Sequence, residues 1–140
     1  MGQAISKLTI KGYKSIRSLE NFELRNINIL IGPNGAGKSN FVDFFRLLQA
    51  MMEGNLAFHV MKHGGCDDFL FNGPKHTTRI ETELKFPEYF VYSCSLLPTV
   101  DEKFIIEREG FGAHKFLGGF ESNLIDVKND ETSIERKDDE

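Results

Sequence analysis

The chain is 140 residues long, which fits one domain with a modest core. Its 40% apolar and 27% charged residues, with 13 Phe among them, exclude the disordered class. The net charge of −4 is local, because residues 126–140 alone hold seven acids against three bases. Residues 1–125 are therefore formally neutral and advertise no bulk affinity for nucleic acid, although residues 1–25 carry five bases and two acids. No apolar run is long enough to span a bilayer and there is no signal-peptide core, so a soluble cytoplasmic protein without a membrane partner is expected.

Cys66 and Cys94 stand far apart with no Cys-x-x-Cys pattern, as reduced thiols in such a compartment would. The opening Met1-Gly2-Gln3-Ala4-Ile5-Ser6 fits a short myristoylation pattern. It runs straight into a strand, however, which argues against a lipid anchor.

In chain order, Ile5 to Lys11 ends in the alternation of a half-buried strand, and Gly12 marks a turn or bulge. Tyr13-Lys14-Ser15-Ile16 follows, and Leu19, Phe22 and Leu24 lead towards Asn26. Ile27-Asn28-Ile29-Leu30-Ile31 is nearly all apolar, which predicts a central strand covered on both faces of an α/β sheet. It runs into Gly32-Pro33-Asn34-Gly35-Ala36-Gly37-Lys38-Ser39, an octet that fits G-x-x-x-x-G-K-[ST] at every fixed position.

Such a loop is a phosphate cradle, and a chance glycine-rich turn rarely has both a strand before it and a helix after it. Gly32, Gly35 and Gly37 lack a Cβ, so the backbone can take positive φ and turn its N–H groups inward. The helix that follows adds unpaired first-turn N–H groups and a positive dipole end. Lys38 is expected to reach the β- and γ-phosphates of a nucleotide, and the Ser39 hydroxyl to coordinate Mg²⁺. ATP and Mg²⁺ are thus the expected cofactors.

From Lys38, apolar residues at Phe41, Phe44, Phe45, Leu48 and Met52 predict a helix over 38–53 with one buried face, stopped at Gly54. A short helix from Leu56 to His63 ends at Gly64-Gly65, and Cys66 to Lys75 reads as a loop with aromatic anchors. Three antiparallel strands with one wet face follow, Arg79 to Phe86, Phe90 to Leu97 and Lys103 to Glu109. The glycine-rich stretch 110–119 reads as loop, and the charged end from Asp126 as disordered or severed from what would order it. The fold class is α/β, a P-loop NTPase lobe with a mixed sheet, an antiparallel β-subdomain and the P-loop helix.

The run from Ile5 to Ile16, together with Asn28 to Asn40, resembles the amino-terminal head lobe of the SMC, RecF and OLD branch of ABC-type ATPases. The resemblance covers roughly the first 110 residues, and Gly-Pro-Asn-Gly-Ala-Gly-Lys-Ser-Asn, ending at Asn40, is its most specific part. It implies that Tyr13-Lys14-Ser15 is the aromatic-Lys-Ser element beside the nucleotide, which adds Lys14, Ser15 and Asn40 to the binding set. It makes residues 1–125 the head lobe and 126–140 a tail. It also implies a Walker B strand, a signature motif and a switch His, none of which is visible here. Asn123-Leu124-Ile125-Asp126-Val127 is too short for a Walker B strand and lacks its Glu, and the glutamines are Gln3 and Gln49 alone. The chain is accordingly expected to be inactive by itself, the amino-terminal part of a longer enzyme. Its implied partners are a carboxy-terminal lobe of the same protein and, through ATP, a second copy.

Two side-chain clusters suggest other chemistry. His59, His63, Cys66, Asp67 and Asp68 form a weak metal pattern with no closing ligand pair, better read as a solvated helix end. Lys75, His76 and Arg79 offer a small basic cluster for DNA phosphates, without a sustained stripe. The functional readings are an ATP-binding lobe acting in DNA maintenance or phage defence, a small self-sufficient P-loop kinase or GTPase, and a non-catalytic interaction module. The kinase or GTPase reading lacks an Asp after an apolar strand and a lid Arg or base-reading motif.

Overall fold

The computed structural model describes residues 4–113. The first strand, β1 (Lys7–Tyr13), turns Leu8 and Ile10 inward and Lys7 and Thr9 towards the wetter side. It folds back through the two-residue turn Lys14-Ser15 into β2 (Ile16–Glu23), with Tyr13 opposite Ile16. Lys14 takes φ +45° in that turn, in the left-handed region a bulky residue rarely enters. Further along, the register slips by one residue, and Asn21 sits at the slip with φ +50° while its N–H donates to Thr9 Oγ1 at 3.0 Å.

Helix α1 (Lys38–Met52) and helix α2 (Leu56–Lys62) follow, each stopped by glycine. At the end of α1, the Asn55 N–H donates to Ala50 O and the Gly54 N–H to Met51 O, a paired closure that needs the left-handed φ of +71° at Gly54. The Gly65 and Gly64 N–H groups close α2 in the same way on Val60 and Met61. Beyond a 3₁₀ turn at Cys66–Phe69 come β3 (Ile80–Lys85), β4 (Phe90–Pro98) and β5 (Phe104–Ala113).

The strands form one five-stranded sheet in the order β2-β1-β3-β4-β5, antiparallel at every pairing. Its core joins Leu8, Ile10 and Tyr13 to Ile80, Leu84 and Leu96 and to Phe44, Leu47 and Leu48 of α1, with Val60, Phe69 and Phe104 closing it. Tyr13 meets Phe44 edge-on, with ring centroids 5.2 Å apart, and Phe69 meets Phe104 at 6.1 Å. The buried Thr82 hydroxyl donates to Thr9 O at 3.0 Å, which removes the cost of an unpaired polar group between strands.

Several expectations are corrected. Ile27 to Ile31 is not a strand, and Ile27, Ile29 and Ile31 are 80%, 79% and 92% exposed. An apolar run becomes a strand only with neighbours to complete its ladder, and no described strand runs beside it. The described sheet is consequently antiparallel rather than mixed, and the octet follows irregular backbone. The three later strands are continuous with β1 and β2 rather than a separate subdomain. Gly110 to Ala113 belongs to β5 rather than to a loop, and Gly12 lies inside β1. The Asn123 to Val127 stretch, the tail from Asp126 and the Met1-Gly2 start lie outside the described residues. Among the described residues, no helix is long and apolar enough to cross a membrane.

Candidate functional site

The octet forms a loop closed by an Ala36 N–H bond to Pro33 O at 3.2 Å, and it feeds directly into α1 through Gly37. Gly35 and Gly37 take φ +84° and +97°, as a loop that turns its N–H groups inward requires. Gly32 does not share this property, and its absent side chain matters through proximity, since a Cβ there would lie 3.3 Å from that of Ala36. At Gly37 both constraints act, because a Cβ would come within 2.8 Å of Ser15 Oγ.

The amino-terminal end of α1 is left electrostatically open. Gly37 supplies no side-chain cap and the first turn contains no acid, so no carboxylate of the helix itself offsets its positive end. The Lys38 ammonium folds back over the loop and donates to the carbonyls of Gly32 and, at 3.1 Å, Pro33. Ser39 in the first helical turn is exposed, as are Pro33, Asn34 and Ala36 on the loop. A cation, a hydroxyl and positive-φ glycines thus share one loop and the helix start it feeds, a donor set that suits a phosphate with a hard divalent cation.

The β1–β2 turn is docked onto this loop. Asn40 Nδ2 donates to Ser15 Oγ at 2.8 Å, and the same oxygen abuts Gly37. Lys14 points to α1 beside it, its Nζ 3.6 Å from Asp43 Oδ2, 5.0 Å from the Phe69 ring centre and 5.6 Å from that of Tyr13. Every residue predicted for the site from Lys14 to Asn40 therefore lies on the octet, on the first turn of α1 or on the hairpin turn against them. Asp43, which the sequence motifs did not single out, lies four residues after Ser39 on the helix and faces the same turn. The Tyr13 hydroxyl beside them is buried and has no hydrogen-bond partner among the described residues, and burial raises its pKa above the ordinary value.

The other clusters resolve differently. His59 and His63 lie tilted against each other with ring centroids 4.4 Å apart beside Phe69, while Cys66 is buried with its thiol towards Asp67 and Thr99 O. Among the described residues no three His, Cys, Asp or Glu side chains are placed to hold a metal, so the zinc pattern is not assembled. Burial first, then the His63 and Lys14 charges, holds His59 below its usual pKa, and burial pushes the Cys66 thiol up. Of the basic trio, Arg79 is bound to Glu107 at 2.6 Å. His76 and Arg79 border an open groove of about 610 Å³ with Arg17 and Gly12.

The model of the AAA ATPase domain family matches residues 4–140. Chromosome partition protein Smc of Mycolicibacterium paratuberculosis (strain ATCC BAA-968 / K-10) is 34% identical over 131 residues, 89% of this chain and 10% of that protein. The Smc protein of Myxococcus xanthus (strain DK1622) is 35% identical over 74 residues, 51% of this chain and 6% of its own length. The chain thus spans a small part of the length of these relatives. No solved structure matches it. The family match over nearly the whole chain, and the Smc similarity, show that it belongs to the AAA ATPase domain family as an SMC-like ATPase head.

Proposed function

We propose that the chain binds ATP with Mg²⁺ through Gly32 to Asn40 and serves as the ATP-binding lobe of an Smc-like ATPase. The observation that carries this reading is the Gly32–Ser39 loop, with Gly35 and Gly37 at positive φ and the Lys38 ammonium already over its mouth. In it the inward backbone N–H groups hold the phosphates and Lys38 offsets their charge. Ser39 supplies a hydroxyl ligand to the metal, and Lys14, Ser15 and Asn40 border the nucleotide. A bound Mg²⁺, held by the Ser39 hydroxyl, would supply positive charge against the phosphates.

Hydrolysis belongs to a larger assembly. Phosphoryl transfer also needs a carboxylate-held metal, a positioned water and charge on the γ-phosphate, and among the described residues the cradle is the part at hand. We assign those parts to a carboxy-terminal lobe of the same protein and to a second head joined through ATP. The exposed Ile27, Ile29 and Ile31, which lead into the loop, support the first of these partners, since added parallel strands would cover them. The Smc relatives, chromosome partition proteins by name, favour work in DNA maintenance in the cytoplasm, with phage defence as the other setting and DNA as a candidate contact.

Phosphate release tests the division of labour. The 140-residue chain alone is expected to show none, and activity is expected once the carboxy-terminal lobe is supplied, rising with the square of head concentration when dilute. Turnover by the chain alone that Lys38→Ala abolishes would instead mark a self-sufficient P-loop enzyme.

A further inference from the structure

Asp43 lies on α1 one turn beyond Ser39 and faces the β1–β2 hairpin. Its two carboxylate oxygens hold different cations, with Oδ1 2.7 Å from Arg46 Nη1 and Oδ2 3.6 Å from Lys14 Nζ. Lys14 is placed at some cost. Its backbone is left-handed at φ +45°, and its side chain, 21% exposed, lies across the Phe69 and Tyr13 rings rather than in water. Backbone strain of this kind persists where surrounding contacts over-determine it. The contacts here are the Asp43 carboxylate, the Ser15–Asn40 bond and the Lys14 N–H bond to Phe69 O at 2.8 Å.

We propose that Asp43 is the positioning residue of the nucleotide site, its Oδ2 fixing the Lys14 ammonium beside the phosphates while Arg46 fixes the carboxylate through Oδ1. This rests on the ATP-binding reading above and adds residues to it. An aspartate so near a phosphate site would by itself repel the ligand, and a paired Lys14 turns that liability into an aimed cation. The exposed Arg46, at 69%, is worth little as an ion pair by itself, so its role is to orient the carboxylate.

The test is calorimetric titration of Mg-ATP and Mg-ADP into the full chain, with Asp43→Asn, Asp43→Glu, Lys14→Ala and the Lys14→Ala/Asp43→Asn double variant. Asp43→Asn is expected to weaken ATP binding by roughly tenfold, and Asp43→Glu to recover part of the loss. The double variant is expected to bind no more weakly than Lys14→Ala does, because Asp43 acts through that lysine and its unpaired charge is gone as well. A second readout is acetylation of Lys14 followed by mass spectrometry. With both proteins saturated with ATP, Lys14 is expected to be protected in the wild-type chain and less so in Asp43→Asn, a difference that lower affinity alone would not produce. Equal or tighter ATP binding by Asp43→Asn, or additive losses in the double variant, would overturn the positioning role while leaving the nucleotide site standing. A wild-type chain that binds no ATP would overturn both.

Discussion

At the scale of single residues, the strictest position is Gly12. Its φ is +76°, and a Cβ there would lie 2.6 Å from the Arg79 carbonyl oxygen and 2.8 Å from Thr77 Cγ2, so backbone and neighbour forbid a side chain independently. Gly12→Ala is expected to cost about 3 kcal/mol, read as a lower urea midpoint at unchanged slope. A change within about 0.5 kcal/mol would show that β1 and β3 can separate there freely. His59 sets a pH dependence. Its folded pKa lies below the ordinary 6.5, so the unfolded chain takes up the proton first as pH falls. The His59 contribution is therefore complete above about pH 6.5 and is lost as pH drops from there towards the folded pKa. His59→Gln is expected to reduce the fall in thermal midpoint between about pH 7.5 and 5.5, and an undiminished fall would contradict the assignment.

Among the elements, the hairpin turn, the octet and α1 form one unit, and the glycines of the octet separate its two constraints. No atom lies within 4 Å of a Cβ built on Gly35, whereas one on Gly37 meets Ser15 Oγ at 2.8 Å. Gly35→Ala is thus expected to cost only the backbone strain, about 1 kcal/mol. Gly37→Ala is expected to cost more and to loosen the turn from the loop, visible in amide exchange of Lys14 to Ile16. Equal exchange in the two variants would contradict the docking. The octet and both helix stops were legible in the sequence because each depends on chemistry carried by its own residues: Gly35 and Gly37, Gly54, Gly64 and Gly65. Strand β2 was not legible, since its two-residue turn is Lys14-Ser15 rather than a glycine pair, and its inner face is only partly covered. Ile27 to Ile31 misled for the opposite reason, since its composition is that of a buried strand while a ladder is a property of neighbours.

At the scale of the molecule, the described residues form an antiparallel sheet and two helices, with the exposed run Ile27 to Ile31 leading into the octet ahead of the first helix. Ile29→Lys is expected to change the stability of the chain by less than about 0.5 kcal/mol, since the side chain is 79% exposed. The same change is expected to abolish co-purification with the proposed carboxy-terminal lobe, because that lobe would bury position 29 and a lysine there would carry an unpaired charge into a core. Unimpaired co-purification would place that lobe elsewhere. The family match places the chain in the AAA ATPase domain family, and the Gly32–Ser39 loop against the Lys14-Ser15 turn is where the proposed nucleotide would sit.

Calorimetric titration of Mg-ATP into the 140-residue chain and its Lys38→Ala variant tests the central claim most directly. The wild-type chain is expected to bind one equivalent, and Lys38→Ala to lose roughly a hundredfold in affinity with its thermal midpoint unchanged, because the ammonium answers the β- and γ-phosphate charge and is not part of the core. Binding of equal strength by both proteins, or by neither, would contradict the assignment of the Gly32–Ser39 loop as the nucleotide site.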